Sequence, residues 1–336
     1  MKLDYSRLEA RRLINLDSAG AEQATVSCAG GVIVSLTHPC ELEPSSAKAL
    51  HIAIRGLTGG HSGQQIHLGY HNSIKLMARV LYTLSEKYEL RLCRIEGGNK
   101  DNAIPRECDA VVAFPGLDDL SGVITAIERE AADISAEISM IDPNFRLTAE
   151  PQTAPSCFSK AATDDLIRLL FLAPNGIKSR NPAAGDFVVS SLTLAVIRTE
   201  AELVSITFSP RSSVGSLKEQ IKKELTLLAS LFHCEIRMYS EYPGWAYCEH
   251  SEIRELFVNT YREQSGRELT CMAIHGGLEC GLFVDNLPGL DAIATGPNGG
   301  DNHTPGEWLD MTSIEPFYRL LCAVLERLAK ETAYRD

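Results

Sequence analysis

The residues best suited to chemistry are an aspartate, three histidines and an arginine, each set in a turn or at the end of an apolar run. Asp17 closes the short apolar run Leu13, Ile14, Leu16. A carboxylate at the end of a strand stands at the mouth of a sheet, where a metal or a substrate would lie; the same residue could simply cap a turn. His303 sits in the loop GPNGGDNHTPGE at 296–307. Imidazole is a common zinc ligand and a proline-bearing loop could hold it still, although a loop histidine can equally be solvated. His61 lies among Gly59, Gly60 and Gly63. Small neighbours let a ligand approach the backbone, and the ring could donate a hydrogen bond to an oxyanion. The loop has no GxxxxGK[ST] pattern, so it is not a phosphate cradle. Asn102 and Arg211 fall at strand edges. An amide could donate to an oxygen there and a guanidinium could grip a carboxylate, or each could be an ordinary turn or surface residue. His275, Glu279 and Cys280 share the run IHGGLECGLF. A cysteine near a histidine invites a thiol-hydrolase reading, but no local cysteine-protease signature accompanies it.

These residues need elements to position them. HIAIR at 51–55 alternates as a strand, and Ile74, Met77, Val80, Leu81 and Leu84 have helical spacing. Strands are expected at 90–95 and 110–114, and a helix at 123–134. A second unit follows the same plan. Alternating runs at 192–196 and 204–208 are joined by a hairpin at Thr199–Glu200. A helix carries Leu217, Ile221, Leu225, Leu228 and Phe232, and a strand covers 234–238. Two such units suggest an α+β domain of two similar halves. The polar, proline-containing stretch 141–160 reads as a loop between them. After 243 the pattern becomes helix, strand at 290–294, long loop, helix, with Thr312 and Glu315 spaced as a capping box. That is an α/β signature with chemistry at the strand's carboxyl end.

Composition sets the bounds. The chain has 336 residues, enough for about two domains. It carries 32 basic and 44 acidic residues, net −12. Such a surface repels phosphate backbones and anionic lipid, so neither nucleic acid nor membrane is expected as a partner. No apolar run approaches the roughly 20 residues of a membrane span, and MKLDYSRLEARR lacks a secretory apolar stretch. Ten scattered cysteines without a CxxC pair read as reduced, cytoplasmic thiols.

Taken in order, LINLDS at 13–18, LTGGHSGQQIHLGYHNSIKL at 57–76, NAIPRE at 102–107, APNGI at 173–177, YPGW at 242–245, IHGGLECGLF at 274–283 and the 296–307 loop resemble one family. It is the aminoacyl-histidine dipeptidases, of the cocatalytic-zinc aminoacylase/carboxypeptidase superfamily. The resemblance implies an α/β zinc-peptidase catalytic domain interrupted by a lid and dimerisation domain. On this reading 1–45 is a remnant of the catalytic domain, 46–242 the lid and 243–336 the rest of the catalytic domain. It implies hydrolysis of Xaa-His or β-Ala-His dipeptides by metal-activated water. Two zinc ions, or cobalt or manganese, would serve, in a homodimer formed through the lid. Asp17 would bind one zinc and His303 the other. His61 would be the lid histidine at the oxyanion, Asn102 and Arg211 would hold substrate, and Gly277 with Glu279 would line the substrate side. The family also uses a His-x-Asp motif, a bridging Asp and a Glu-Glu pair, and neither HxD nor Glu-Glu occurs here. With two of the ligands and no general base, the chain alone is expected to bind zinc weakly and hydrolyse little. The expected catalytic domain lacks its first strands. The alternative is a truncated, non-catalytic fragment that dimerises or complements a partner through the lid.

Overall fold

The computed structural model describes residues 3–18, 20–182, 185–301 and 305–333. A four-stranded sheet carries the catalytic-domain segments. Its strands run in the order Arg12–Asn15, Asp291–Ala294, Gln23–Cys28, Thr270–Ile274. The first pair is parallel, the last pair is parallel, and the two pairs meet through Ala294 and Thr25. On one face Phe257 and Ile253 of the helix Glu252–Ser265, with Leu320 and Val324 of the helix Ile314–Ala333, bury Ala24 and Ile293. On the other, Cys280 of the helix Glu279–Asn286 and Trp245 pack on Cys28 and Ala294. The strand Arg12–Asn15 is at the sheet's edge and half-buried along its length.

The second sheet has nine strands, and its order explains the two similar halves. In the first half the strands are Ala49–Arg55, Arg91–Gly97, Cys108–Ala113 and Arg146–Gln152. They lie fourth, first, third, second across the sheet. Helices Ser73–Ser85 and Ser121–Ile138 link the first strand to the second and the third to the fourth. The second half repeats this order with strands Gly30–Pro39, Phe187–Glu200, Leu203–Ser212 and Glu235–Tyr242. Its helices are Lys160–Leu172 and Gly215–Leu231. The halves meet edge to edge at Gly97 and Ile197, and Gly176–Asn181 also pairs with the long strand Phe187–Glu200. One continuous core fills the helix-covered face, including Val34, Leu36, Ile52, Ile74, Leu81, Val112, Leu194, Phe208 and Leu225.

Four details differ from the sequence reading. The strand Gly30–Pro39, expected in the catalytic remnant, opens the lid's second half. The whole first half is inserted between it and the helix Lys160–Leu172, and the change of pattern at 46 marks that insertion. The expected loop at 141–160 holds the strands Arg146–Gln152 and Ser156–Phe158. Arg146–Gln152 is an edge strand, so one side and one face meet water, and Pro151 removes a donor where none is needed. The hairpin turns at 201–202 rather than 199–200, with Ala201 at φ 45°. Thr312 does not cap a helix through Glu315; its hydroxyl and backbone N–H both donate to the Asp310 carboxylate.

Lys75 shows how tightly the inserted half is tied in. Its ammonium donates to the carbonyls of Leu170, Phe171 and Ala173 at 2.7, 2.7 and 2.8 Å, closing the C-terminus of the helix Lys160–Leu172. Helix ends leave carbonyls without intrahelical partners. Lys75→Met is expected to cost about 1.5–3 kcal/mol. A urea melt should show a lower midpoint at unchanged slope.

Candidate active site

On the small-sheet side one asparagine joins two of the predicted residues. The Asn15 side chain accepts from the Asp17 backbone N–H at 2.7 Å and donates to the Glu279 carboxylate at 3.4 Å. Both acids are exposed at the strand's carboxyl end. The late loop settles on the same turn. Thr295 N–H donates to the Asn15 carbonyl (2.9 Å), and Gly20 N–H to that of Pro297 (3.0 Å). Ala21 N–H donates to the Asn298 side chain (2.8 Å). A Cβ on Gly296 would stand 2.2 Å from the Ser18 carbonyl oxygen. The sequence that leads to His303 therefore lies against the Asp17 turn. His303 itself is outside the described residues.

On the lid side, Gly60–His61 pairs with Ala103–Ile104. The His61 ring is oriented by its own loop, because its Nδ1 accepts from the N–H groups of Gly63 (3.1 Å) and Gln64 (3.0 Å). The neutral ring then carries its proton on Nε2, as a donor. The Asn102 carbonyl accepts from Ser62 N–H at 2.9 Å, so Asn102 stands beside His61 with its side chain exposed. Gly63 touches the other lobe; a Cβ there would come within 2.2 Å of the His275 carbonyl oxygen.

Arg211 lies behind this loop and is 8% exposed. It faces Ser191 on one neighbouring strand and Gly31 on the other. It donates to the Tyr242 hydroxyl at 3.2 Å, and its buried Nε has no partner. The Tyr242 ring supports Gly277, where a Cβ would be 2.9 Å from a ring carbon. His275 shares a 2.7 Å hydrogen bond with Ser191 across the lobes. Burial, then the charge of Arg211, pushes His275 down to about 4. The same two causes lower His61. Both rings are neutral at pH 7, beside a cation that repels their protonation.

The structure thus gathers His61, Asn102, Arg211 and Gly277 on one side and Asp17 with Glu279 on the other, joined by the segment 274–279. Sequence reasoning missed the parts played by Asn15, Ser191 and Tyr242. A serine pair inside the apolar run FVVSSLTLAV and the tyrosine of YPGW were the available signals. Cys280 is fully buried and its thiol is pushed up to about 12, chiefly by burial. It holds no thiolate at neutral pH, so the thiol-hydrolase reading fails.

Known proteins share this fold. A family model described as a peptidase dimerisation domain matches residues 50–139, the inserted half of the lid. Escherichia coli cytosol non-specific dipeptidase is 30% identical over 324 residues, covering 96% of this chain and 67% of that protein. The crystal structure of aminoacylhistidine dipeptidase from Vibrio alginolyticus superposes with a TM-score of 0.92 at 30% identity. That match covers 97% of this chain and 67% of the other. The chain belongs to the aminoacylhistidine dipeptidase family. It is a dipeptidase by descent, with the fold of that family, and membership implies a metal cofactor. Among the described residues no group of three or more His, Cys, Asp or Glu side chains is placed to hold an ion. A tight zinc site needs three or four protein ligands. The described side chains therefore do not themselves compose a zinc site for this dipeptidase. No described helix is long and apolar enough to cross a membrane.

Proposed function

We propose that the chain binds dipeptides of the Xaa-His and β-Ala-His type and supplies the substrate-holding part of a metal-dependent hydrolase of their peptide bond, turnover requiring the His-x-Asp and Glu-Glu groups that its sequence does not contain. Arg211 receives the substrate carboxylate, and His61 Nε2–H points to the oxygen of the scissile carbonyl. Asn102, Gly277 and Glu279 border the bound dipeptide. Zinc, or cobalt or manganese, is the proposed metal, with Asp17 and His303 as donors. The lid domain, matched by a peptidase dimerisation model, is the proposed homodimer contact.

One observation carries this reading: Arg211 is buried with no carboxylate paired to it among the described residues. An uncompensated buried charge costs several kcal/mol, and a guanidinium fork matches a carboxylate. A dipeptide brings that carboxylate close to its only peptide bond, so the site measures the substrate from its C-terminus. His61, lowered by burial and by Arg211, stays neutral and donates without competing for the carboxylate.

Zinc-loaded protein should be offered β-Ala-His, Gly-His, Gly-Gly and the C-terminal amide of Gly-His. The reading expects binding of all three free acids, preference for the histidine-bearing pair, and rejection of the amide. Hydrolysis of the amide as fast as the acid would refute it. Binding without turnover would retain the substrate-holding role and place the chemistry with a partner.

A further inference from the structure

We infer that Asp142 is a positioning residue for His61, clamping both stems of the loop that carries it. The inference rests on the reading of His61 as the substrate-facing donor, but it is argued from contacts elsewhere. Asp142 follows the helix Ser121–Ile138, far in sequence from the loop, and its side chain is wholly buried. One carboxylate oxygen accepts from Thr58 N–H at 2.7 Å. The other accepts from His71 N–H at 3.1 Å and pairs with His71 Nδ1 at 2.8 Å. Thr58 and His71 are the two stems of the segment that holds Gly60, His61 and Gly63. Asp142 is itself fixed, since its N–H donates to the Ile138 carbonyl at 2.8 Å and its carbonyl accepts from Phe145 N–H at 3.1 Å. The first stem has no room to shift, because a Cβ on Gly56 would stand 1.9 Å from the Asn144 carbonyl oxygen.

The position requires a carboxylate. The two backbone N–H groups reach different oxygens of one group, and the imidazole reaches it as well. An amide offers only one acceptor oxygen. Burial works against the charge, but the bonds from Thr58 and His71 hold the carboxyl below its usual range. The clamp has a defined consequence at the loop tip. The bonds from Gly63 and Gln64 to His61 Nδ1 are made within the loop that the two stems enclose, and on this inference they depend on the stems staying together. They fix which ring nitrogen carries the proton. If the stems part, those bonds loosen and Nε2–H is no longer the enforced tautomer. The carboxylate would thus act through His61, with no contact to substrate.

Nitrogen-15 NMR of the histidine rings tests this on the full chain, without depending on turnover. In the native protein His61 should be a single Nε2–H tautomer with a depressed pKa. Asp142→Asn should convert it to a mixture of tautomers and move its pKa up toward the ordinary histidine value. His275, held by Ser191 instead, should keep its signals. His71→Gln removes the ring contact but keeps the backbone N–H, so it should give a smaller shift of the same kind if Asp142→Asn fails to fold. Unchanged His61 tautomer and titration in either folded variant would overturn the inference. An active His61→Ala enzyme would instead remove the catalytic reading and leave the clamp standing.

Discussion

Arg211→Met is expected to lower kcat/KM for a free-acid dipeptide by about 100- to 1,000-fold in the metal-loaded enzyme completed by a partner that supplies the His-x-Asp and Glu-Glu groups. Truncating one partner of a buried, hydrogen-bonded charge pair costs about 2–5 kcal/mol, and each 1.4 kcal/mol is roughly a factor of ten. Methionine fills similar space along the same strand, and a side chain 8% exposed has little water to lose, so the fold should persist. The loss should fall on KM if the carboxylate is held equally in the ground and transition states. A second readout is independent of turnover. Arg211 lowers both His61 and His275, so removing its charge favours their protonated forms. Both rings should titrate at higher pH in the variant. Burial remains as the larger cause for each, so neither should return fully to the ordinary value. Steady-state kinetics with matched acid and amide substrates, and NMR titration of the two rings, check the two halves of the expectation. An unaltered acid preference would show that the carboxylate lies elsewhere.

In the metal-loaded enzyme completed by a partner that supplies the His-x-Asp and Glu-Glu groups, His61→Ala is expected to lower kcat by about 10²- to 10³-fold with little change in KM. Removing one oriented donor to a developing oxyanion has an effect of this size. A loss confined to kcat marks an interaction made only in the transition state. The ring is set up for that role by two backbone N–H bonds to Nδ1 and by neutrality beside Arg211. Its loop is pressed against the other lobe through Gly63 and the His275 carbonyl. A variant that raised KM alone would mean that His61 binds the ground state and leaves the reacting carbonyl to other groups. A variant with native kcat and KM would remove His61 from the site altogether.

Much of the family signature turns out to hold the fold together rather than touch substrate. In LTGGHSGQQIHLGYHNSIKL, His61 is the residue proposed to face substrate. His71 belongs to the Asp142 clamp and Lys75 caps a helix of the other half. Asn72 caps the helix Ser73–Ser85 and its amide reaches the Leu194 carbonyl and Asn175 at 2.7 and 3.0 Å. That pairing also explains APNGI, whose asparagine accepts from Asn72 and from Leu194 N–H. Trp245 of YPGW exchanges backbone bonds with Cys28. These residues are legible as a pattern because they join distant segments, and their spacing is fixed by the joins. Local periodicity found the main helices and most of the strands. It could not find the nesting of the lid, because GGVIVSLTHP at 30–39 alternates like any strand and its choice of sheet is decided by partners at 203–212 and 235–242. Nor could spacing show that Arg211 is buried. A strand-edge arginine and a buried one have the same local sequence, and only the packing around it, Tyr242 included, separates them.

The most direct measurement is calorimetric titration of the native chain with Gly-His and with its C-terminal amide, repeated on Arg211→Met. The account predicts that the free acid binds tighter by about tenfold or more, the scale of a charge-assisted hydrogen bond, and that the variant abolishes the difference. Equal affinity of the native chain for acid and amide would contradict it.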